Sequence, residues 1–342
     1  MLEKPDVSDE KLIFCLRDHY GLRATRIAFL PLGNDVHTAV YRVVADDAMP
    51  YFLKLRGGAF DETTVAIPRF LSDQGIAQIL APIATNAGQL WTRVDAFAVI
   101  VFPFVAGRNG FEAPLSERQW VALGVALRGM HTAAVPPSLG AQIPHEQYSP
   151  HWRDLVRTFQ AQAEATMFAD PVAAQLAAFL RARRDDISRI VARAEELGAA
   201  LRARPPAHVL CHADIHGGNV LIGADGALSI VDWDTLTFAP KERDLMFVGA
   251  GIFGVWNRAQ EEAWFYQGYG LTAINTLALA YYRYERIVQD IAAYGEQLLL
   301  TDEGGADRAP ALRYFLDQFL PNNVVAIAYR TDQLLGASQG NP

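Results

Sequence analysis

The chain has 342 residues, of which 51% are hydrophobic and 20% are charged, and its formal net charge is −8. This length exceeds one typical domain, so we expect two lobes, and the composition is that of a globular protein with enough apolar residues for a core. The acidic balance argues against a nucleic-acid-binding surface. It suits a cationic small substrate, although solubility alone would also account for it.

Cysteine usage and hydropathy indicate the compartment. The two cysteines, Cys15 and Cys211, lie far apart in apolar surroundings, which argues against a disulfide framework and favours a reducing compartment. The N-terminal residues lack the apolar segment of a secretory signal, and the longest apolar runs are too short to span a bilayer. We therefore expect a cytoplasmic protein that binds neither nucleic acid nor membranes; its oligomeric state is not predicted.

The first hundred residues have the pattern of a sheet with one or two helices. Ser8 is expected to cap a helix that ends at Gly21. A second helix is expected over roughly residues 62–74, where Pro68 interrupts the pattern and could split it. Strand-like runs occupy residues 26–30, 38–44, 51–56, 81–85, 90–94 and 97–104. This arrangement predicts a mostly antiparallel sheet.

Lys54 lies inside the third strand pattern and is one of only four lysines among 30 basic residues. It could be an edge-strand cation whose stem covers apolar surface, or it could reach phosphate oxygens under the preceding turn. That turn holds Gly33 and Asn34, whose backbone N–H groups could face the same phosphates, and an ordinary hairpin turn is the alternative. Glu62 is the acidic candidate to pair with Lys54, unless it is a solvated glutamate at a helix start.

The pattern changes after residue 105, where glycines and a proline interrupt it, and most of the remaining chain is helical in pattern. A capping box at Ser116–Gln119 and Pro150 after Ser149 predict helix starts. Further helical stretches occupy residues 171–204 and 273–299. The second is rich in tyrosines and charges, which either line a substrate pocket or form a solvated helix with a packing face. We predict a division into residues 1–105 and 106–342.

The segment 209–234 carries the densest chemistry in the chain. The motif HADIHGGN at residues 212–219 has the H-x-D-x-x-x-x-N spacing of a kinase catalytic loop, with Asp214 as its carboxylate. Two short strands joined by an Asp-Gly turn follow, and this hairpin would bring Asn219 close to Asp232. One carboxylate to orient a hydroxyl, with an Asn and an Asp oxygen for Mg²⁺, is the set that a phosphoryl-transfer site requires.

A zinc site is the competing interpretation of this segment, because His208, Cys211, His212 and His216 have superficially suitable spacing. No second Cys or His cluster lies near them in the sequence, so zinc is not favoured. We expect His212 and His216 to order the loop by hydrogen bonding.

Lys54, the HADIHGGN loop and the strand end IVDWD at residues 230–234 resemble the aminoglycoside phosphotransferase and small-molecule kinase superfamily. The resemblance covers essentially the whole chain. Five runs are similar to the spectinomycin phosphotransferase branch: VLCHADIHGGNVLIG, APKERDLMFVG, YYRYERIVQDIAAYG, NGF at 109–111 and PNNVV at 321–325. The resemblance implies an α+β, bilobal, protein-kinase-like fold. A nucleotide-binding lobe with an antiparallel sheet would occupy residues 1–105, and a mainly helical lobe with the catalytic loop and acceptor site would occupy residues 106–342.

The resemblance also implies roles for the residues of the catalytic loop and hairpin. Asp214 would be the catalytic base or would orient the acceptor hydroxyl. Asn219 and Asp232 would bind Mg²⁺, and Asp244 would brace the loop.

For the nucleotide, the resemblance implies that Lys54 contacts the α- and β-phosphates of ATP, with Glu62 as its partner. The carbonyl of Pro103 and the N–H of Val105, in the hinge between the lobes, would meet adenine. The phosphate loop at Gly33-Asn34 has one glycine where relatives often have more, so it departs from the family pattern.

The motif predicts a phosphotransferase, and the resemblance implies that it uses ATP and Mg²⁺ to phosphorylate a hydroxyl of spectinomycin or a similar aminocyclitol, and hence confers antibiotic resistance. The closest alternative is a kinase of another small alcohol, such as methylthioribose, choline or homoserine. A nucleotide-binding regulator without transfer activity is a third hypothesis. The intact set of Asp214, Asn219 and Asp232 argues against it, because a regulator needs no catalytic base.

Overall fold

The structure is a computed structural model that describes residues 4–32, 37–301 and 304–339. The chain forms two compact units. The first comprises Met1–Ile143 and Gly218–Leu236, and the second comprises Pro144–Gly217 and Thr237–Pro342.

The described residues contain ten strands, twelve α-helices and two short 3₁₀ helices. The strands are β1 (Ala24–Leu30), β2 (Thr38–Ala45), β3 (Pro50–Arg56), β4 (Thr92–Val94), β5 (Phe97–Pro103), β6 (Gly107–Asn109), β7 (Val209–Cys211), β8 (Val220–Gly223), β9 (Leu228–Ile230) and β10 (Thr237–Ala239). The helices are α1 (Asp9–Tyr20), α2 (Thr63–Asp73), α3 (Glu117–His131), α4 (Pro137–Gly140), α5 (His151–Ala165), α6 (Pro171–Ala182), α7 (Arg184–Ala203), α8 (Glu242–Leu245), α9 (Ala259–Tyr269), α10 (Thr276–Leu299), α11 (Arg308–Asp317) and α12 (Val324–Gln339).

A five-stranded sheet in the order β1-β2-β3-β5-β4 forms much of the first unit, and all its pairings are antiparallel. The predicted antiparallel sheet is therefore confirmed. The predicted strand at residues 81–85 is wrong, because the segment is irregular. Pro82 lacks the N–H donor that a strand ladder uses. The segment is anchored instead by the N–H of Ile83, which donates to the carbonyl of Val101 at 2.7 Å.

The first two helices begin and end close to the predicted residues. The hydroxyl of Ser8 accepts a backbone N–H from the first turn of α1, and Gly21 ends the helix in the left-handed conformation with φ +68°. Helix α2 runs continuously across Pro68, so the proline does not split it. Helix α1 and the sheet share a core that includes Leu12, Leu16, Tyr41, Leu53, Leu55, Val99 and Val101.

A three-stranded sheet of β6, β8 and β9 accounts for the extent of the first unit. Strand β6 pairs with β8, and β8 pairs with β9, while α3, which begins with the predicted capping box, contacts β9. These contacts group residues 106–143 with the first unit, whereas the sequence pattern places the division after residue 105. The close pairing requires glycine at Gly107, since a Cβ there would lie 1.9 Å from the carbonyl oxygen of Ile222.

The second unit is mainly helical, with α10 packed against α5, α7 and α12. The stretch predicted at residues 171–204 consists of two helices, α6 and α7, separated by Arg183. Tyr281, Tyr282 and Tyr284 of α10 are at most 2% exposed. These tyrosines therefore form a packing face.

No helix within the described ranges is long and apolar enough to cross a membrane. Both cysteines are buried free thiols.

Candidate active site

The β8–β9 hairpin in the first unit positions Asn219 and Asp232. Its turn is the predicted Asp-Gly turn, in which the carboxylate of Asp225 accepts the N–H of Ala227 at 3.0 Å. Beyond the last strand pair, the N–H of Val231 donates to the carbonyl of Asn219 at 3.0 Å. The hairpin therefore brings the residue before β8 next to the residues after β9, as the sequence predicts.

Asp232 has a left-handed backbone, with φ +65°. A residue other than glycine in this conformation carries a cost of order 1–3 kcal/mol, and such strain concentrates at functional sites. The conformation changes the direction of the chain immediately after the hairpin. The Asp232 side chain is 52% exposed, so its carboxylate remains accessible to a ligand.

Lys54 of β3 is paired with both aspartates that follow the hairpin. Its ammonium lies 2.9 Å from Oδ2 of Asp234 and 3.3 Å from Oδ1 of Asp232, and its side chain is 14% exposed. Burial by itself would lower the pKa of Lys54, but the two carboxylates raise it above its usual value. The ammonium of Lys54 is therefore protonated and fixed between two carboxylates. This excludes the alternative that Lys54 is a solvated cation on an edge strand.

The predicted pairing of Glu62 with Lys54 is wrong. Glu62 is exposed at the start of α2, and among the described residues the ion pairs of Lys54 are those with Asp232 and Asp234. The sequence contains a signal for Asp234, because it ends the same IVDWD run as Asp232, but sequence spacing does not indicate which carboxylate reaches the lysine.

A cavity in the first unit opens beside this ion-pair group. Lys54, Arg56 and Asp234 contribute its charged wall, and the remaining lining residues are Ala59, Phe60, Asp61, Thr64 and Ile100. Arg56 lies 3.5 Å from Asp234 and donates to the hydroxyl of Thr38 at 2.8 Å. Two cations and two carboxylates therefore face one cavity, whose charged lining is mixed.

The donor set at the hairpin is compatible with Mg²⁺. Asn219 supplies an amide oxygen and Asp232 a carboxylate, and magnesium prefers such hard oxygen ligands. The side chain of Asp232 is 52% exposed, so its carboxylate is accessible to an ion. The residues present therefore fit the metal.

The other predicted nucleotide residues lie in different parts of the first unit. Pro103 is the last residue of β5 and is exposed, and Val105 follows it in a half-buried position. Pro103 is paired with Tyr51 across the sheet. Gly33 and Asn34 lie outside the described residues.

Asp214, in the second unit, is held by two side chains. Nη1 of Arg286 donates to its Oδ1 at 2.5 Å, and Nε2 of His216 lies 3.3 Å from its Oδ2. Burial alone would raise the pKa of Asp214, but the guanidinium of Arg286 and the imidazole of His216 hold it well below its usual range. The carboxylate is therefore ionised at any pH at which the enzyme would work.

Asp244 of α8 braces the backbone of the catalytic loop, as expected. Its carboxylate accepts the N–H of His212 at 3.0 Å and the N–H of Ala213 at 2.6 Å. Ala213 has a left-handed backbone, with φ +69°, and these bonds stabilise that conformation immediately before Asp214.

The histidine and cysteine residues of the loop fit a structural role. Nδ1 of His212, which is fully buried, accepts the N–H of Asp214 at 3.3 Å, so the predicted loop-ordering role of this histidine is confirmed. Burial raises the pKa of the Cys211 thiol well above its usual value. Its Sγ lies 3.6 Å from the carbonyl oxygens of Ala239 and Pro240. The thiol therefore lies against backbone carbonyl groups in the interior of the second unit.

Arg286 and Asp290 are the site residues to which the sequence assigns no individual role. They lie one turn apart on α10, and Nε of Arg286 is 3.0 Å from Oδ1 of Asp290. Their i, i+4 spacing is visible in the sequence, but the contact with Asp214 joins residues 72 positions apart.

The strand order of the five-stranded sheet and the residues around the hairpin are those of a kinase-like phosphotransferase. The chain belongs to the phosphotransferase enzyme family, which it matches over residues 28–282. The resemblance stated from the sequence is therefore confirmed.

Two solved structures of a spectinomycin phosphotransferase are similar to 96% of this chain and 100% of their own. The complex with ADP and spectinomycin shares 40% sequence identity, with a TM-score of 0.90. The complex with AMP shares 39% identity, with a TM-score of 0.86. Protein StrN of Streptomyces griseus is 29% identical over 264 residues, which are 72% of this chain and 76% of StrN.

Proposed function

We propose that this protein transfers the γ-phosphoryl group of ATP to a hydroxyl of spectinomycin or a similar aminocyclitol, and so inactivates the antibiotic in the cytoplasm. The observation that carries this proposal is the 40% identity, over 96% of the chain, with a spectinomycin phosphotransferase solved with ADP and spectinomycin. The net charge of −8 is consistent with a cationic acceptor.

The first unit would bind the nucleotide. Lys54 would contact the α- and β-phosphates, at the cavity whose charged wall it shares with Arg56 and Asp234. The carbonyl of Pro103 and the N–H of Val105 would hydrogen-bond to adenine, a role that proline permits because only its carbonyl is used. The backbone N–H groups of Gly33 and Asn34 would face the phosphates.

Asn219 and Asp232 would hold Mg²⁺. A bound metal would supply Lewis-acid stabilisation of the negative charge on the phosphoryl group. The carboxylate of Asp232 also fixes the ammonium of Lys54, so the same residue orders two positive charges around the phosphates.

Asp214 would act on the acceptor. In the reaction a bond forms between the acceptor oxygen and the γ-phosphorus, the bond from that phosphorus to the bridging oxygen of ADP breaks, and the hydroxyl proton passes to Asp214. Because its pKa is held low by Arg286 and His216, Asp214 is a weak base. Its main contribution would be to orient the hydroxyl, with proton transfer late in the reaction.

An acceptor panel tests the proposal. Purified protein with ATP and Mg²⁺ is given spectinomycin, other aminoglycosides, methylthioribose, choline or homoserine. ADP release is measured, and mass spectrometry identifies the phosphorylated product. We expect the highest kcat/KM with spectinomycin. A higher value with a metabolite alcohol would favour a metabolic kinase, and ATP binding without transfer to any acceptor would favour a regulator.

A further inference from the structure

The catalytic aspartate belongs to a chain of four charged or titratable side chains within the second unit. Asp290 contacts Arg286 at 3.0 Å, Arg286 contacts Asp214 at 2.5 Å, and His216 lies 3.3 Å from the other oxygen of Asp214. The side chains of all four are between 17% and 23% exposed. Charged contacts at this depth are weakly screened by water, so they are stronger than surface ion pairs.

Arg286 is itself held in place from two directions. Its guanidinium carbon lies 5.8 Å from the centre of the Phe247 ring, and Phe247 is 3% exposed. Asp290 lies one turn further along α10 and contacts Nε, which leaves Nη1 directed to Asp214. The guanidinium therefore bridges two carboxylates.

The helix that carries Arg286 is tied to the residues that brace the catalytic loop. Arg283 of α10 donates to the carbonyl of Met246 at 2.8 Å. Met246 follows α8, whose Asp244 holds the N–H groups of His212 and Ala213. The loop is thus held through its backbone by Asp244 and through the side chain of Asp214 by α10.

We infer that Arg286, oriented by Asp290, is a positioning residue that sets the direction and the charge state of Asp214 during phosphoryl transfer. This inference rests on the proposed function of Asp214. Arg286 contacts Oδ1 and His216 faces Oδ2, so these two side chains set the orientation of the carboxylate. A guanidinium suits this role because its planar fork contacts two groups at once, which an ammonium on a flexible stem does not reproduce.

The charges that face Asp214 predict a distinctive pH dependence. Burial raises the pKa of Asp214, and Arg286 and His216 lower it by more. Asp290, the second carboxylate at Arg286, interacts with Asp214 as a like charge. Without Arg286 the pKa of Asp214 should rise to or above its ordinary value of about 3.9. The acid limb of kcat/KM, where Asp214 becomes protonated, should then move to higher pH.

Three variants test this inference. We expect Arg286→Met to lower kcat about 10²-fold, the scale of a 1 Å misplacement, with the KM for ATP unchanged and the acid limb shifted upwards. In Arg286→Lys the pKa of Asp214 should stay low, as in the wild type, but kcat should recover only in part relative to Arg286→Met. Asp290→Asn should lower kcat less and leave the acid limb in place, because the charge of Arg286 remains. Arg313→Met, at an exposed position of α11, is the matched control.

The pKa of Asp214 is also measured directly, by ¹³C NMR of labelled aspartate carboxyls, with Asp214→Asn for assignment. This titration needs no acceptor, so it tests the inference separately from the proposed function. Lack of activity of the wild type with spectinomycin would contradict the proposed function. An unchanged Asp214 titration and an unchanged kcat in Arg286→Met would overturn the inference. If Arg286→Met does not fold, an unchanged kcat in both Arg286→Lys and Asp290→Asn would overturn it.

Discussion

The ammonium of Lys54 lies 2.9 Å from Oδ2 of Asp234, a carboxylate 180 residues further along the chain. This pair, with Asp232 at 3.3 Å, joins the third strand of the large sheet to the end of the β8–β9 hairpin. The lysine is therefore positioned by the candidate metal ligand Asp232 and by Asp234, two residues after it. In this protein the acidic partner comes from the hairpin, and helix α2 does not supply it.

Replacing Lys54 by methionine should weaken ATP binding. The change removes a cation from the cavity wall and with it the ion-pair partner that Asp232 and Asp234 share. A hydrogen bond to a charged group contributes about 1.5–3 kcal/mol, so we expect Kd for ATP, measured by calorimetry, to rise about ten- to a hundredfold. Lys11→Met removes an exposed lysine paired with Asp95 and is the control. Equal Kd values for both variants and the wild type would refute the assigned role.

Replacing Asp214 by asparagine should lower kcat by ~10²–10⁴, the range for loss of a general base. ATP binding should persist, because the residues proposed to bind the nucleotide lie in the first unit. Steady-state kinetics and ATP calorimetry measure the two effects separately. Asp185→Asn, an exposed substitution in the first turn of α7, is the control. Wild-type turnover in Asp214→Asn would show that the role belongs to another residue.

Replacing Asp244 by asparagine should destabilise the catalytic loop. Asparagine has one acceptor oxygen, so it can satisfy only one of the N–H groups of His212 and Ala213 that Asp244 now accepts. A buried donor left without an acceptor costs about 1–3 kcal/mol. We expect a lower midpoint of urea denaturation and a lower kcat, with Asp185→Asn again as the control. A stable variant with full activity would mean that the loop does not depend on this brace.

The buried pair of Glu285 and Arg153 should make stability depend on pH. Burial raises the pKa of Glu285 to about 7, although Arg153, at 2.6 Å, opposes the shift. The unfolded value is about 4.3, so the folded protein retains a proton that the unfolded chain releases between these values. The stability contributed by this proton is complete below about pH 4.3 and is lost as the pH rises through 7.

We therefore expect the urea midpoint of the wild type to fall between pH 5 and pH 8, and the fall to be smaller in Glu285→Gln. Glutamine keeps an acceptor oxygen for Arg153 but cannot lose a proton in this range. The difference between the two proteins isolates Glu285 from other titrating groups. Parallel changes in the two proteins would show that Glu285 does not contribute.

Features that depend on neighbours in the sequence were open to prediction. The Ser8 cap, the Gly21 terminus and the Asp-Gly hairpin each involve residues a few positions apart, whose geometry follows from turn and capping chemistry. The irregular conformation of residues 81–85 was not predictable from the apolar pattern alone, because it depends on the missing donor of Pro82 and on a bond from Ile83 to Val101, which is distant in sequence.

The sequence by itself determined the hairpin that brings Asn219 next to Val231, the residue before Asp232. The turn is short, so it allows the two strands to pair in only one register. It also determined the motif that marks Asp214. Only the tertiary structure decided that Asp234 holds Lys54 and that Arg286 holds Asp214. Those contacts join residues 180 and 72 positions apart. They depend on the register of the large sheet and on the packing of α10. Both are set by contacts between residues far apart in the sequence, so no local pattern indicates which residues will meet.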